Sequence, residues 1–127
     1  NSVINNETII NSTLNRENVC MFVDITISFQ SDTDRAVEIL RHEAENHPET
    51  ADNRTAEEKK AGLPKVTVRV VNLSEFGQHL RAYVWANSPG TGFVIKTDLF
   101  RSVKKRFDAQ GIEIPYRTVY VRELPIA

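Results

Sequence analysis

Cysteine is almost absent: Cys20 is the only one among 127 residues. No disulfide can form within the chain, and a reducing cytosol is the expected environment. Cys20 lies in the apolar run "VCMFVDITI" and reads as a small buried residue. Long hydrophobic runs are missing too. No stretch reaches the roughly 20 apolar residues of a membrane-spanning helix, and no signal peptide opens the chain. Charge of one sign is also lacking: 16 Lys and Arg stand against 17 Asp and Glu, a formal net charge of −1. No global field therefore draws nucleic acid or an anionic membrane. The chain opens on "NSVINNETIINST" without a methionine and reads as a piece of something longer. The lack of a spanning segment then says nothing about a parent protein.

Residues that carry chemistry are equally sparse. His42, His47 and His79 are the only histidines. His42 and His47 lie five apart near the end of a helix, with no cysteine cluster, and read as solvated surface, not metal ligands. No serine–histidine–acid set or carboxylate pair stands at a catalytic spacing. The expectation is a chain with no enzyme activity, cofactor or metal. "GTG" at Gly90 to Gly92 precedes a helix, but it lacks the lysine and the longer glycine spacing of a P-loop and reads as a turn. Asn6, Asn11, Asn53 and Asn72 each start a glycosylation triplet, which means nothing in a cytosolic chain.

What is present is pattern. Apolar residues make 40% and charged residues 26%, ordinary for a soluble globular domain. The length allows one domain with a real core, plus a fragment of a second. Strand character around Thr8 to Ile10 is followed by "NREN" (Asn15 to Asn18), a polar linker and domain boundary. From Val19 to Phe29 the chain alternates: Val19, Met21, Val23, Ile25, Ile27 and Phe29 share one face, and Cys20, Phe22, Asp24, Thr26 and Ser28 the other. Period two with β-branched residues predicts a strand with one face on a core. "SDTDRAVEILRHEAENHP" predicts a helix, capped by Asp32 or Thr33, with Ala36, Val37, Leu40 and Ala44 as its buried stripe and Pro48 as its stop. Glu49 to Gly62 is polar, the least ordered stretch expected, with room for a helical turn at "AEEKKA".

"PKVTVRVVNL" and "HLRAYVWANS" read as strands joined by "SEFGQ" into an antiparallel hairpin. Val66, Val68 and Val70 alternate on the first; Leu80, Ala82, Val84 and Ala86 alternate on the second, opposite Tyr83 and Trp85. A second helix spans roughly Phe93 to Gln110. Ile95, Leu99, Val103 and Phe107 recur every four residues, Phe100 widens the stripe, and Gly111 is the left-handed stop. The order β-α-β-β-α, with both helices on one face of a small antiparallel sheet, predicts an α+β, ferredoxin-like layer. Val23, Ile25, Val37, Leu40, Val68, Val84, Leu99, Val103 and Phe107 are its expected core.

Arg101, Lys104, Lys105 and Arg106 make the second helix basic, and Tyr83 and Trp85 are candidate stacking platforms for RNA. Asp98 and Asp108 dilute that patch, so nucleic-acid binding is not expected. Beyond the helix, "IEIPYRTVYVRE" sets a rigid proline before one more alternating strand. Thr118, Tyr120 and Arg122 face one way, and Val119, Val121 and Glu123 the other. No later segment can pair with it, and a lone strand leaves its backbone donors and acceptors exposed.

Four stretches together carry a resemblance. "NSVINNETIINST" resembles the end of a pore-proximal β domain, "FQSDTD" a strand-to-helix junction, "VWANS" a strand end reading "VW-x-N", and "VKKRFDAQGIEIPY" a basic helix running into "G-I-x-[FIL]-P-[YF]". In order and spacing the chain resembles the cytoplasmic C-terminal part of the MscS family of small-conductance mechanosensitive channels. The family often has a second proline after the aromatic, where Tyr116 is followed by Arg117.

The resemblance implies a homoheptamer in the bacterial inner membrane, with transmembrane helices upstream of Asn1 and this region on the cytoplasmic side. Residues 1–15 would end the pore-proximal β domain, 16–112 would form the ferredoxin-like domain, and 113–127 would be a tail strand. Seven such domains would enclose a vestibule with side portals, closed by a barrel of one strand per subunit. The interface residues in that barrel would be Thr118, Val119, Tyr120, Val121 and Arg122, the narrow lumen favouring the smaller apolar set. The parent would open under membrane tension and release ions and small solutes on osmotic downshock. This part would contribute assembly and solute filtering. The alternatives are a cytosolic ferredoxin-like module that senses a ligand or binds RNA. An apolar run rich in Gly and Ala just upstream would separate the channel from both.

Overall fold

In the computed structural model, which describes residues 8–10, 18–116, 121–123 and 125, the alternating segments pair into one antiparallel sheet. Its strands are β1 (Thr8–Ile10), β2 (Val19–Ile27), β3 (Thr67–Leu73) and β4 (Gln78–Ala86), in the order β1-β2-β4-β3. β2 and β4 pair over their whole length, from Val19 opposite Ala86 to Ile27 opposite Gln78. β3 and β4 form the expected hairpin, with an irregularity between Val70 and Asn72. β1 adds to the other edge of β2, Thr8 standing opposite Met21. The hairpin link needs its glycine, because a Cβ on Gly77 would collide with the Ile27 carbonyl oxygen.

Two helices, α1 (Thr33–Asn46) and α3 (Pro89–Gln110), pack on the face made by the odd residues of β2 and the even residues of β4. Asp32 caps α1 by accepting from the Arg35 N–H. Val23, Ile25, Leu40, Val84, Leu99, Val103 and Phe107 are buried together with Ile27, Ile39, Leu80, Ile95 and Ile112. Val37 and Val68 are only partly buried at the margin of this core. Each large apolar side chain taken from water here contributes about 1.5–3 kcal/mol.

Four expectations need correction. β2 ends at Ile27, so Phe29 falls in the following turn and is 51% exposed. Phe100 lies off the stripe of α3 and is 40% exposed; the four-spaced residues fill the contact without it. α3 begins at Pro89, ahead of Phe93. Ser88 caps it, its Oγ accepting from the Thr91 N–H, and Pro89 fills the first turn, where a missing N–H costs nothing. The glycines of "GTG" are therefore helical. A Cβ on Gly92 would run into Met21 Cγ, so this glycine lets the helix start close against β2. Lastly, burial in β2 is two-sided over its first half. Cys20 and Phe22 are buried although they face away from the helices, and Cys20's thiol is pushed up to about 11 by that burial.

The stretch Glu49 to Gly62 is tied down at several points. The Thr50 hydroxyl donates to the Ala44 carbonyl at 2.8 Å, and the Ala51 N–H donates to the Trp85 carbonyl at 2.8 Å. The "AEEKKA" turn forms as α2 (Ala56–Lys60), held by a reciprocal capping box between Thr55 and Glu58.

Candidate assembly segment and the open sheet face

The tail leaves the domain through a fixed exit. Gly111 takes a left-handed conformation (φ 74°), and the Ile112 N–H returns to the Phe107 carbonyl at 2.9 Å. Ile112 is buried, which pins the chain just past the helix. The next residue is clamped to the turn after β2. Ser28 N–H donates to the Glu113 carbonyl at 2.8 Å, and Glu113 N–H donates to Ser31 Oγ at 3.0 Å. Gln78 organises that turn from beneath. It is buried, its Nε2 donates to the carbonyls of Ser28 (3.1 Å) and Ser31 (3.3 Å), and its Oε1 accepts from the Thr33 hydroxyl. Of the described residues beyond Pro115, Tyr116 is 81% exposed and Val121 is 91% exposed.

Of the five proposed interface residues, Thr118, Val119 and Tyr120 lie outside the described residues. Val121 and Arg122 are described, are exposed, and belong to no strand of the sheet. Gln78 was missed by sequence reasoning. A polar residue beside a turn carries no signal that its partners stand 45 to 50 positions away.

The sheet face opposite the helices is ionic and aromatic. Arg81 grips Asp24 with two hydrogen bonds, Nε to Oδ1 at 2.9 Å and Nη2 to Oδ2 at 3.1 Å. Asp24 raises the guanidinium's pKa first through those bonds, against a smaller effect of burial. The same guanidinium covers the Phe22 ring at 4.4 Å, and Tyr83 meets Phe22 edge-on at 5.1 Å. His79 Nε2 lies 3.2 Å from Asp24 Oδ2. The other histidines also stand beside carboxylates. His47, expected as solvated surface, has only 10% of its side chain exposed; its Nδ1 accepts from the Glu49 N–H and its Nε2 faces Asp98 Oδ2 at 2.8 Å. His42 stays exposed, 3.7 Å from Glu43. Among the described residues no cluster of His, Cys, Asp and Glu could hold a metal ion.

The basic helix is partly neutralised. Lys104 pairs with Asp108 at 2.8 Å, and Arg106 reaches across to Glu43 on α1 at 3.1 Å. Burial pushes the Glu43 carboxyl up, but hydrogen bonds from Arg106 and Ser102 outweigh it and leave the group below its ordinary range.

This geometry defines a class: a small α+β domain with helices on one sheet face and a chain anchored where it leaves the last helix. A family model described as "Mechanosensitive ion channel MscS, C-terminal" matches residues 23–114, and the chain belongs to that family. The family is one of channels, not of enzymes. Among solved structures the chain is similar to that of Helicobacter pylori MscS in a closed state, with a TM-score of 0.65 and 15% identity. The match covers 84% of this chain and 39% of that one, and at this identity it is a likeness of fold. No curated protein matches the chain in sequence. Among the described residues no helix is long and apolar enough to cross a membrane.

Proposed function

We propose that this chain is part of the cytoplasmic vestibule of a tension-gated channel, and that its tail is the segment that closes the assembled ring. Family membership over residues 23–114 carries the reading. In it, residues 1–15 finish a preceding β domain, residues 16–112 form the vestibule wall and residues 113–127 form the tail. The neighbour order β2-β4-β3, with one helix after β2 and another after β4, supports a ferredoxin-like layout whose remaining edge is taken by β1. Helices upstream would hold the channel in a bacterial inner membrane. Seven tails, paired through Thr118, Val119, Tyr120, Val121 and Arg122, would satisfy each other's backbone in a closed barrel. The exposure of Val121 and Arg122 outside the sheet supports this. The assembled protein would release ions and small solutes on osmotic downshock, its vestibule filtering them, without catalysis, cofactor or nucleic acid.

The test is native mass spectrometry of the full-length channel with and without residues 116–127, beside circular dichroism of the present chain lacking them. The expected result is a weakened heptamer and an intact α+β signal. Unchanged heptamer stability, or a domain that unfolds without its tail, would overturn the assignment.

A further inference from the structure

The open sheet face holds a cleft of about 290 Å³, floored by β3 and β4 and walled by the segment from Asn53 to Lys65. Its floor is aromatic. Tyr83 and Trp85 are two residues apart on β4, so both point to this face, and both line the cleft. Its charges do not balance. Arg54, Lys65 and Arg69 line it against a single carboxylate, Glu58, whose Oε1 also accepts from the Thr55 N–H in the cap of α2. Arg54 is engaged by both oxygens of Asp52 and by the Leu63 carbonyl. Among the described residues the Lys65 ammonium donates to a backbone carbonyl, that of Glu45, at 3.2 Å.

Arg69 is the odd member. It stands directly opposite Arg81 across β3 and β4, a like-charge pair that costs stability. Asp24 already neutralises Arg81. The Arg69 side chain makes no hydrogen bond or ion pair with any described residue. An exposed cation thus sits diagonally beside Tyr83, at a cleft with two aromatic rings and a second cation in Lys65. A flat ring carrying one anionic group satisfies all four, by stacking on the aromatics and by charge-assisted hydrogen bonds to the cations. The volume is at the small end of ligand pockets, which limits the ligand to about one nucleotide.

The geometry points to a binding site for a nucleoside monophosphate, its base against Trp85 and Tyr83 and its phosphate on Arg69 and Lys65. The inference stands apart from the channel reading and holds or fails without it. Trp85 is the single tryptophan of the chain, so its fluorescence reports the cleft alone.

The experiment titrates the 127-residue chain with AMP, adenosine, inorganic phosphate and a short single-stranded RNA, at constant ionic strength, by tryptophan fluorescence and by calorimetry. AMP is expected to bind saturably with Kd of about 1 mM or tighter. Adenosine binds about tenfold more weakly, and inorganic phosphate leaves the fluorescence unchanged. Arg69→Gln weakens AMP about tenfold and leaves adenosine unaltered, while Arg69→Lys restores part of the loss. Circular dichroism of both variants checks that they fold, and the exposure of Arg69 makes this the expected result. Any of four outcomes overturns the site: no saturable AMP binding by either method, equal affinity for AMP and adenosine, an indifferent Arg69→Gln variant, or RNA bound far more tightly than AMP.

Discussion

The two faces of the sheet are built by the same strands and have opposite chemistry. Toward the helices, Val23, Ile25 and Ile27 of β2 meet Leu80, Ala82 and Val84 of β4 in a dry, apolar layer. Away from them, Phe22, Asp24, Arg81 and Tyr83 form a lattice of rings and ions with water on one side. One residue of register separates the two sets. The helix side holds the fold together by removing surface from water. The open side keeps its charges wetted and has groups left over for recognition. Cys20 marks the limit of that division: it is on the open side, yet buried, and that burial pushes its thiol up to about 11, which disfavours the thiolate.

The sharpest way to break the contrast is on the helix side. Phe107→Ala should cost about 3–5 kcal/mol and Leu40→Ala about 2–5 kcal/mol, read as shifts of the urea midpoint at constant slope. Losses under about 0.5 kcal/mol in both would mean that the core lies elsewhere. Gly92→Ala comes next. Its new methyl meets Met21, and overpacking of this kind costs about 1–3 kcal/mol. Adding Met21→Ala should recover part of that loss in a double-mutant cycle, since the clash is with that side chain.

On the open side the effects shrink. Asp24→Asn removes the carboxylate that Arg81 grips, yet both groups are partly exposed, so the cost should be about 1 kcal/mol or less and should fall with added salt. A loss as large as that of Phe107→Ala would erase the distinction between the faces. Acid sharpens it in another way. Glu43 is held below its ordinary range, so its link to Arg106 contributes fully above the ordinary carboxylate value of about 4.3 and is lost as pH falls through the lowered one. Urea midpoints of wild type and Glu43→Gln should converge below that range and separate above it. Smallest of all is Leu73→Ser at the exposed end of β3, expected within about 0.5 kcal/mol in the same melts.

The strands were legible because period two survives in the residue types. The helices were legible because apolar residues three and four apart share one side of a helix and would scatter over both faces of a strand. Gly111 was legible as a stop because a left-handed turn favours it. The start of α3 was not: "NSPGTG" has local turn chemistry, and the reason for Gly92 is Met21, far away in the chain. Phe29 and Phe100 misled because an apolar side chain states a preference for burial, not a position. Ile39 went unnamed because it flanks the stripe of α1 that the spacing picked out. The cleft drew its rings from β4 and its cations from β3 and from the stretch just before it. Tyr83 and Trp85 were noticed, but Arg69 gains meaning only from its register with Arg81.

The clamp between Ser28, Ser31 and Glu113 has a mechanical consequence. The chain enters β2 at Val19 and is fastened on leaving beside Ser28, at the far end of the same strand. Nine residues separate those ends, about 30 Å of extended backbone. A pull between the upstream chain and the tail therefore runs lengthwise along β2. It loads the rungs it shares with β4 in shear, together, where peeling would take them one at a time.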